Sequence, residues 1–187
     1  MEDKLKIWGQ ELAEVHLPRW DELPDLDLYM DQVLHLVDNY FKKFISKDKP
    51  PLLTKAMVNN YVKLQLIPAP EKKRYSRRHL AFLIAITLLK QVLTIPEIRA
   101  GILFQGQHDG IRNAYNIFCE EQEKALQIVA LQAQGKASEG IFSEVNSPYY
   151  LAVKSAAFAF AAKLLAEEAI RLEDERMKVE ENSDEQT

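Results

Sequence analysis

With 187 residues, 47% of them hydrophobic, the chain can bury one core, which excludes a wholly disordered polypeptide. Its single cysteine, Cys119, has no Cys or His at ligand spacing, which argues against a disulfide framework and a zinc site. The N-terminus mixes charges with apolar residues, and the most apolar run, 149–169, is interrupted by Lys154, Lys163, Glu167 and Glu168, so the sequence predicts a soluble, cytoplasmic protein with no membrane contact.

Residues 1–27, with Pro18, Pro24 and several aspartates, predict a looped lead-in. From Leu28 to Ile45, apolar residues Val33, Leu36, Val37, Tyr40, Phe41 and Phe44 recur every three or four positions, the period of an amphipathic helix, and Pro50 and Pro51 end that unit. Thr54 caps a second helix to about Leu64, with Met57, Tyr61 and Leu64 expected inward and Lys55, Asn59, Asn60 and Lys63 on the other faces. Pro68 and Pro70 bracket a turn, residues 71–75 form a basic loop, and Ser76 caps a helix from Arg77 to about Leu89 that is apolar nearly all round and therefore central. Thr94 and Glu97 have capping-box spacing for a short helix ending at Gly101. Gly106 and Gly110 flank a break, after which long helices are predicted over 108–134 and 148–179, the second capped by Ser147 and Pro148. Its alanines, Ala156, Ala157, Ala159, Ala161 and Ala162, permit close approach of another helix, from this chain or from a second copy. The last residues, 181–187, are almost without apolar side chains and are expected to be disordered.

The charge is segregated. Residues 42–90 hold twelve bases and two acids, whereas residues 1–41 hold ten acids and three bases. That local excess points to a surface facing a polyanion; the plain alternative is a solvated basic stretch balanced by acidic neighbours in the fold. Two short helices joined by a tight turn beside basic residues suit duplex DNA, because an α-helix enters the major groove while flanking cations hold phosphates. Asn59 and Asn60 can pair with base edges, Lys55 and Lys63 with phosphate or guanine, and Lys72, Lys73, Arg74, Tyr75, Arg77 and Arg78 complete the candidate DNA-binding set. Either asparagine can equally serve as a cap or face water.

NNYVKLQLIP, 59–68, followed by KRYSRRHLAFL, 73–83, and TIPEIRAGI, 94–102, resembles the winged-helix core of the MerR family. The resemblance implies that Tyr61 and Lys63 end a recognition helix and that Arg74 and Tyr75 are wing residues holding phosphates. It departs from that family at Gln65, where a glycine is usual, in the long first helix set apart by Lys49, Pro50 and Pro51, and in a shortened wing. Over roughly residues 25–105, DLYMDQVLHLV, LTKAMVNNYVKLQLIP and KKRYSRRHLAFLIAITLLKQVLTIPEI are similar to a bacterial domain of unknown function numbered 1836.

No HExxH, P-loop, GxSxG or Rossmann signature is present, Cys119 lies among Glu120, Glu121 and Glu123, which disfavour a thiolate, and the histidines His16, His35, His79 and His108 are scattered, so no enzyme, metal or cofactor is expected. RNA is disfavoured because no aromatic platform interleaves with the bases. The sequence thus predicts an all-α protein with a helix-turn-helix or winged-helix-like core and a long C-terminal helical hairpin. Its expected parts are a lead-in over 1–27, a MerR-like DNA-binding domain over 28–104, a C-terminal helical dimerisation or effector region over 105–180, and the tail. The expected function is a bacterial DNA-binding transcriptional regulator, a homodimer through its C-terminal helices. The alternative is a helical protein-interaction module whose basic face binds an acidic partner.

Overall fold

The structure, a computed structural model, describes residues 1–42, 44–45, 50–138, 140 and 147–184. Helix accounts for 72% and strand for 3%, so the chain is all-α. Its elements are α1 (Glu2–Ala13), β1 (Leu28–Tyr29), α2 (Met30–Phe41), α3 (Lys55–Lys63), β2 (Arg74–Tyr75), α4 (Arg77–Leu89), α5 (Ile95–Ala133) and α6 (Leu151–Asp184), with single 3-10 turns at Trp20–Glu22 and Pro148–Tyr150.

Helix α4 lies at the centre, as its apolar circumference requires: Leu80, Leu83, Ile84, Ile86 and Leu88 are fully buried. Around it, α2 buries Val33, Val37 and Phe41, and one continuous cluster of buried side chains reaches from Leu12 to Leu164. Local chemistry sets the helix starts. The Thr54 hydroxyl accepts from the Met57 amide at 3.3 Å, and the Glu97 carboxylate takes both the amide and the hydroxyl of Thr94 at 2.7 Å, the anticipated capping box. Ser76 opens α4 with its amide bonded to His79 Nδ1 at 3.0 Å.

Several expectations are corrected. The lead-in contains a packed helix, α1, which crosses α5 so closely that a Cβ at Gly9 would stand 2.8 Å from the Ala130 carbonyl oxygen and 2.9 Å from Ala133 Cβ. The inward face of α3 is Val58 and Tyr61; Met57 is half-buried, and Leu64, past the helix end, is 43% exposed. Gly101 and Gly106 do not stop a helix, since both are in ordinary helical backbone, whereas Gly110, at φ 74° and ψ 156°, divides α5 into two arms. Helix α6 continues to Asp184, four residues into the expected tail.

The C-terminal helices are not a hairpin. Tyr150 donates to Asp109 at 3.1 Å where the second arm of α5 begins, Gln122 donates to the Ala157 carbonyl at 3.3 Å, and α6 ends beyond Glu175, which pairs with Lys4 of α1 at 2.9 Å. Since α1 runs antiparallel to α5, with Gly9 at Ala130 and the Leu17 amide on Glu123, this order means that α5 and α6 run parallel. A hairpin needs a short loop and antiparallel partners. Here Tyr150, just before α6, meets Asp109, at the opposite end of the roughly 36 Å second arm from Ala133. Helix α6 has the length and composition to cross a membrane over Pro148–Glu181; in the fold its Ala156, Ala157, Phe160, Ala161 and Leu164 are buried.

Candidate nucleic-acid interface

Lys55, Asn59, Asn60 and Lys63 are all exposed on α3, three of them at four-residue spacing and so on one side. The helix ends in a Schellman motif: the Gln65 amide returns to the Val62 carbonyl at 3.0 Å and the Leu66 amide to that of Tyr61 at 2.9 Å, with Gln65 left-handed at φ 54°. Leu66 and Ile67 then bury and turn the chain under α3.

The basic loop is a type I′ turn. Lys72 and Lys73 occupy its two central positions at φ 47° and 66°, closed by the Arg74 amide on the Glu71 carbonyl at 2.8 Å. Neither lysine is a residue that favours this backbone, and both side chains are exposed at its tip. Beyond it, β2 pairs antiparallel with β1, Leu28 opposite Tyr75 and Tyr29 opposite Arg74. The Arg74 guanidinium sits 5.2 Å from the Tyr29 ring centroid and donates to its hydroxyl at 3.3 Å. Tyr29 and this pairing escaped the sequence reading because two-residue strands carry no alternation to detect.

The remaining candidates separate. Tyr75 is only 4% exposed, its ring edge-on to His79 at 5.5 Å and its phenol pushed up by burial, so it packs rather than reaching a phosphate. Arg77 is half-buried and pairs with Asp25 at 3.3 Å. Arg78 is exposed, its guanidinium 5.6 Å from the Phe82 ring centroid. His79 is 6% exposed; burial lowers its pKa, and with Nδ1 accepting the Ser76 amide the ring proton falls to the buried Nε2, which has no hydrogen-bond partner among the described residues. Lys90 was also missed. Its ammonium bonds the Leu52 carbonyl and touches Met57 Sδ at 3.1 Å, fastening the segment before α3; burial lowers its pKa.

Ion pairing divides the bases. In the acid-rich parts, Arg19 meets Glu123 at 2.6 Å, Arg112 meets Asp21, and Arg171 meets Glu168 and Glu175. Lys55, Lys63, Lys72, Lys73, Arg74 and Arg78 have no acidic partner among the described residues. The plain reading of a basic stretch balanced by neighbouring acids therefore holds for Arg77 and not for these six.

The elements from β1 through α2, α3 and β2 to α4, with α5 as far as Phe118, fall within residues 18–118, which match a family model described as a domain of unknown function, DUF1836. The chain belongs to the DUF1836 family. No curated protein and no solved structure matches it. The DUF1836 segment carries every candidate residue of the basic face, and it begins at Pro18, whose carbonyl accepts the Tyr115 hydroxyl at 2.8 Å and is touched by Cys119 Sγ at 3.7 Å. Burial pushes the Cys119 thiol up to about 12, which makes it a packing group and no nucleophile. Among the described residues no three His, Cys, Asp or Glu side chains converge as a metal site.

Proposed function

We propose that this DUF1836 protein is a cytoplasmic DNA-binding transcriptional regulator with a MerR-like winged-helix core, which lays α3 in the major groove and grips phosphates with the turn before β2. The observation that carries this reading is the set of six exposed bases without acidic partners among the described residues, on α3, the I′ turn and the start of α4. A folded protein gains little by leaving cations unpaired beside an acid-rich remainder, whereas counterions released from DNA reward them. Helix α3, of nine residues and so about 13 Å long, matches a groove about 12 Å wide. Asn59 and Asn60 are the base-reading candidates, and Lys55, Lys63, Lys72, Lys73, Arg74 and Arg78 the phosphate-holding ones.

We further propose that the protein acts as a homodimer through its C-terminal helices. Ile170 and Met177, 68% and 51% exposed, lie two turns apart on one face of α6, an apolar pair available to a second copy. A strictly monomeric mass at micromolar concentration, with and without DNA, refutes the dimer.

The test is titration against sheared DNA from the source organism at several salt concentrations, with sequencing of the retained fragments. Six phosphate contacts predict an affinity loss on the order of 10³-fold between about 50 and 200 mM salt, with enrichment of particular fragments. No retention at low salt reassigns the basic face to an acidic protein partner.

A further inference from the structure

Behind the basic face, between α4, the two arms of α5 and the start of α6, lies a groove of about 630 Å³. We propose that it binds an uncharged, predominantly apolar small molecule.

The volume lies within the range of roughly 300–1,000 Å³ for drug-sized ligand sites, and its walls are set by Phe82, Leu93, Ile102, Phe104, Ile111 and Phe118. The space is kept open by residues that helices otherwise disfavour. Gly101 and Gly106 both line it, both have helical backbone, and a Cβ on either would meet nothing within 4 Å. No turn and no close helix crossing requires glycine at either position, although each costs the helix about 0.5–1 kcal/mol relative to alanine. What the missing side chains preserve is the groove.

Charge selects the occupant. Among the described residues no Lys, Arg or His lines the groove, so an anionic headgroup finds no counterion in these walls. The one acid among the described lining residues, Glu97, is committed to the Thr94 amide and hydroxyl, and the Tyr115 hydroxyl is committed to the Pro18 carbonyl. Gln105, whose amide nitrogen donates to Asp109, keeps its carbonyl oxygen, and Ser155 its hydroxyl, as the remaining polar groups of the lining. An uncharged hydrocarbon-rich molecule with at most one or two hydrogen-bonding atoms fits this wall; a fatty-acid anion does not. Phe82 joins the groove to the basic face, since Arg78 lies over its ring; a consequence for DNA affinity rests on the function proposed above, whereas binding to the groove does not.

The test needs no DNA, so its failure leaves the DNA reading standing. The full chain is titrated with the uncharged dye N-phenyl-1-naphthylamine and with its anionic relative 1-anilinonaphthalene-8-sulfonate, which differ chiefly in charge. Expected is saturable binding of one uncharged dye per chain, at least about tenfold tighter than the sulfonate. Gly101→Leu and Gly106→Leu should each weaken it about tenfold or more while circular dichroism is unchanged and Tm does not fall. Should a variant lose its fold, displacement from the unaltered protein decides: decan-1-ol should compete and decanoate should not. The proposal is overturned by non-saturable binding, by equal affinity for the sulfonate, by folded glycine variants that bind as well as the parent, or by decanoate competing equally. It is equally overturned if the parent is a dimer that excludes the dye and the leucine variants are monomers, because the groove is then filled by a second copy.

Discussion

Replacing Lys72 with Asn and Lys73 with Gly should make the protein more stable and a weaker DNA binder. Both lysines are held left-handed, at φ 47° and 66°, a conformation that costs an ordinary L-residue about 1–2 kcal/mol. Asn-Gly is the pair a type I′ turn prefers, and since both side chains are exposed, no packing is lost. After allowance for the greater freedom of glycine in the unfolded chain, the gain should be about 1–2 kcal/mol, or about 2–8 °C in Tm for a chain of this size. On the proposed DNA reading, removing two phosphate contacts should lower the log–log salt slope by about 1.8 and weaken binding roughly 60-fold at about 0.1 M salt for each protomer on the DNA. Thermal unfolding and a salt-resolved fluorescence-anisotropy titration read the two effects. The double variant Lys72→Arg with Lys73→Arg is the control: it keeps charge and strain, and so should change neither. A destabilised Asn-Gly variant would refute the turn argument, and an unchanged salt slope would remove the turn from the DNA-binding face.

The other predictions concern the scaffold. Gln65→Gly, at the left-handed position of the Schellman motif, should raise stability by up to about 1 kcal/mol, seen as a higher Tm with the DNA salt slope unchanged; a lower Tm would count against that backbone. At Glu123, burial raises the carboxyl pKa, but bonds from Arg19 and the Leu17 amide outweigh it and hold it below the ordinary 4.5. A group depressed in the folded state stabilises above its unfolded pKa and loses that contribution as pH falls through the folded one. Glu123→Gln should therefore cost about 1–3 kcal/mol near neutrality in denaturant titrations, and the gap to the parent should close below about pH 4.5. Cys119 should resist a thiol-specific disulfide reagent at mildly alkaline pH in the native protein and react at once in denaturant; fast native labelling would contradict its burial.

What the sequence revealed was chiefly local. The caps at Thr54 and Ser76, the Thr94–Glu97 box and the centrality of α4 each follow from side chains within a few residues of one another. The exposed candidates on α3 and the turn were legible for the same reason. The burial of Tyr75 and His79 was not, because it depends on how β2 is seated against β1 and on the turn at 68–69, over separations that no period reveals. Gly101 looked like a helix stop because glycine often is one; only its backbone angles show that it is not. The parallel course of α6 beside α5 was illegible because helical periodicity states which face is apolar and leaves the direction of the partner open.

The crossing of α1 and α5 also sets a clock. Gly9 is made before the Ala130 and Ala133 surfaces that it fits, which come more than 120 residues later. At synthesis rates of about 5–20 residues per second, α1 waits roughly 6–24 s for its partner. During that interval its buried side, Gly9 and Leu12, is uncovered, while β1, α2, α3 and α4 can already assemble. Helix α1 is thus made before α5 but docks only after it, and the nascent chain is most open to chaperone capture along α1.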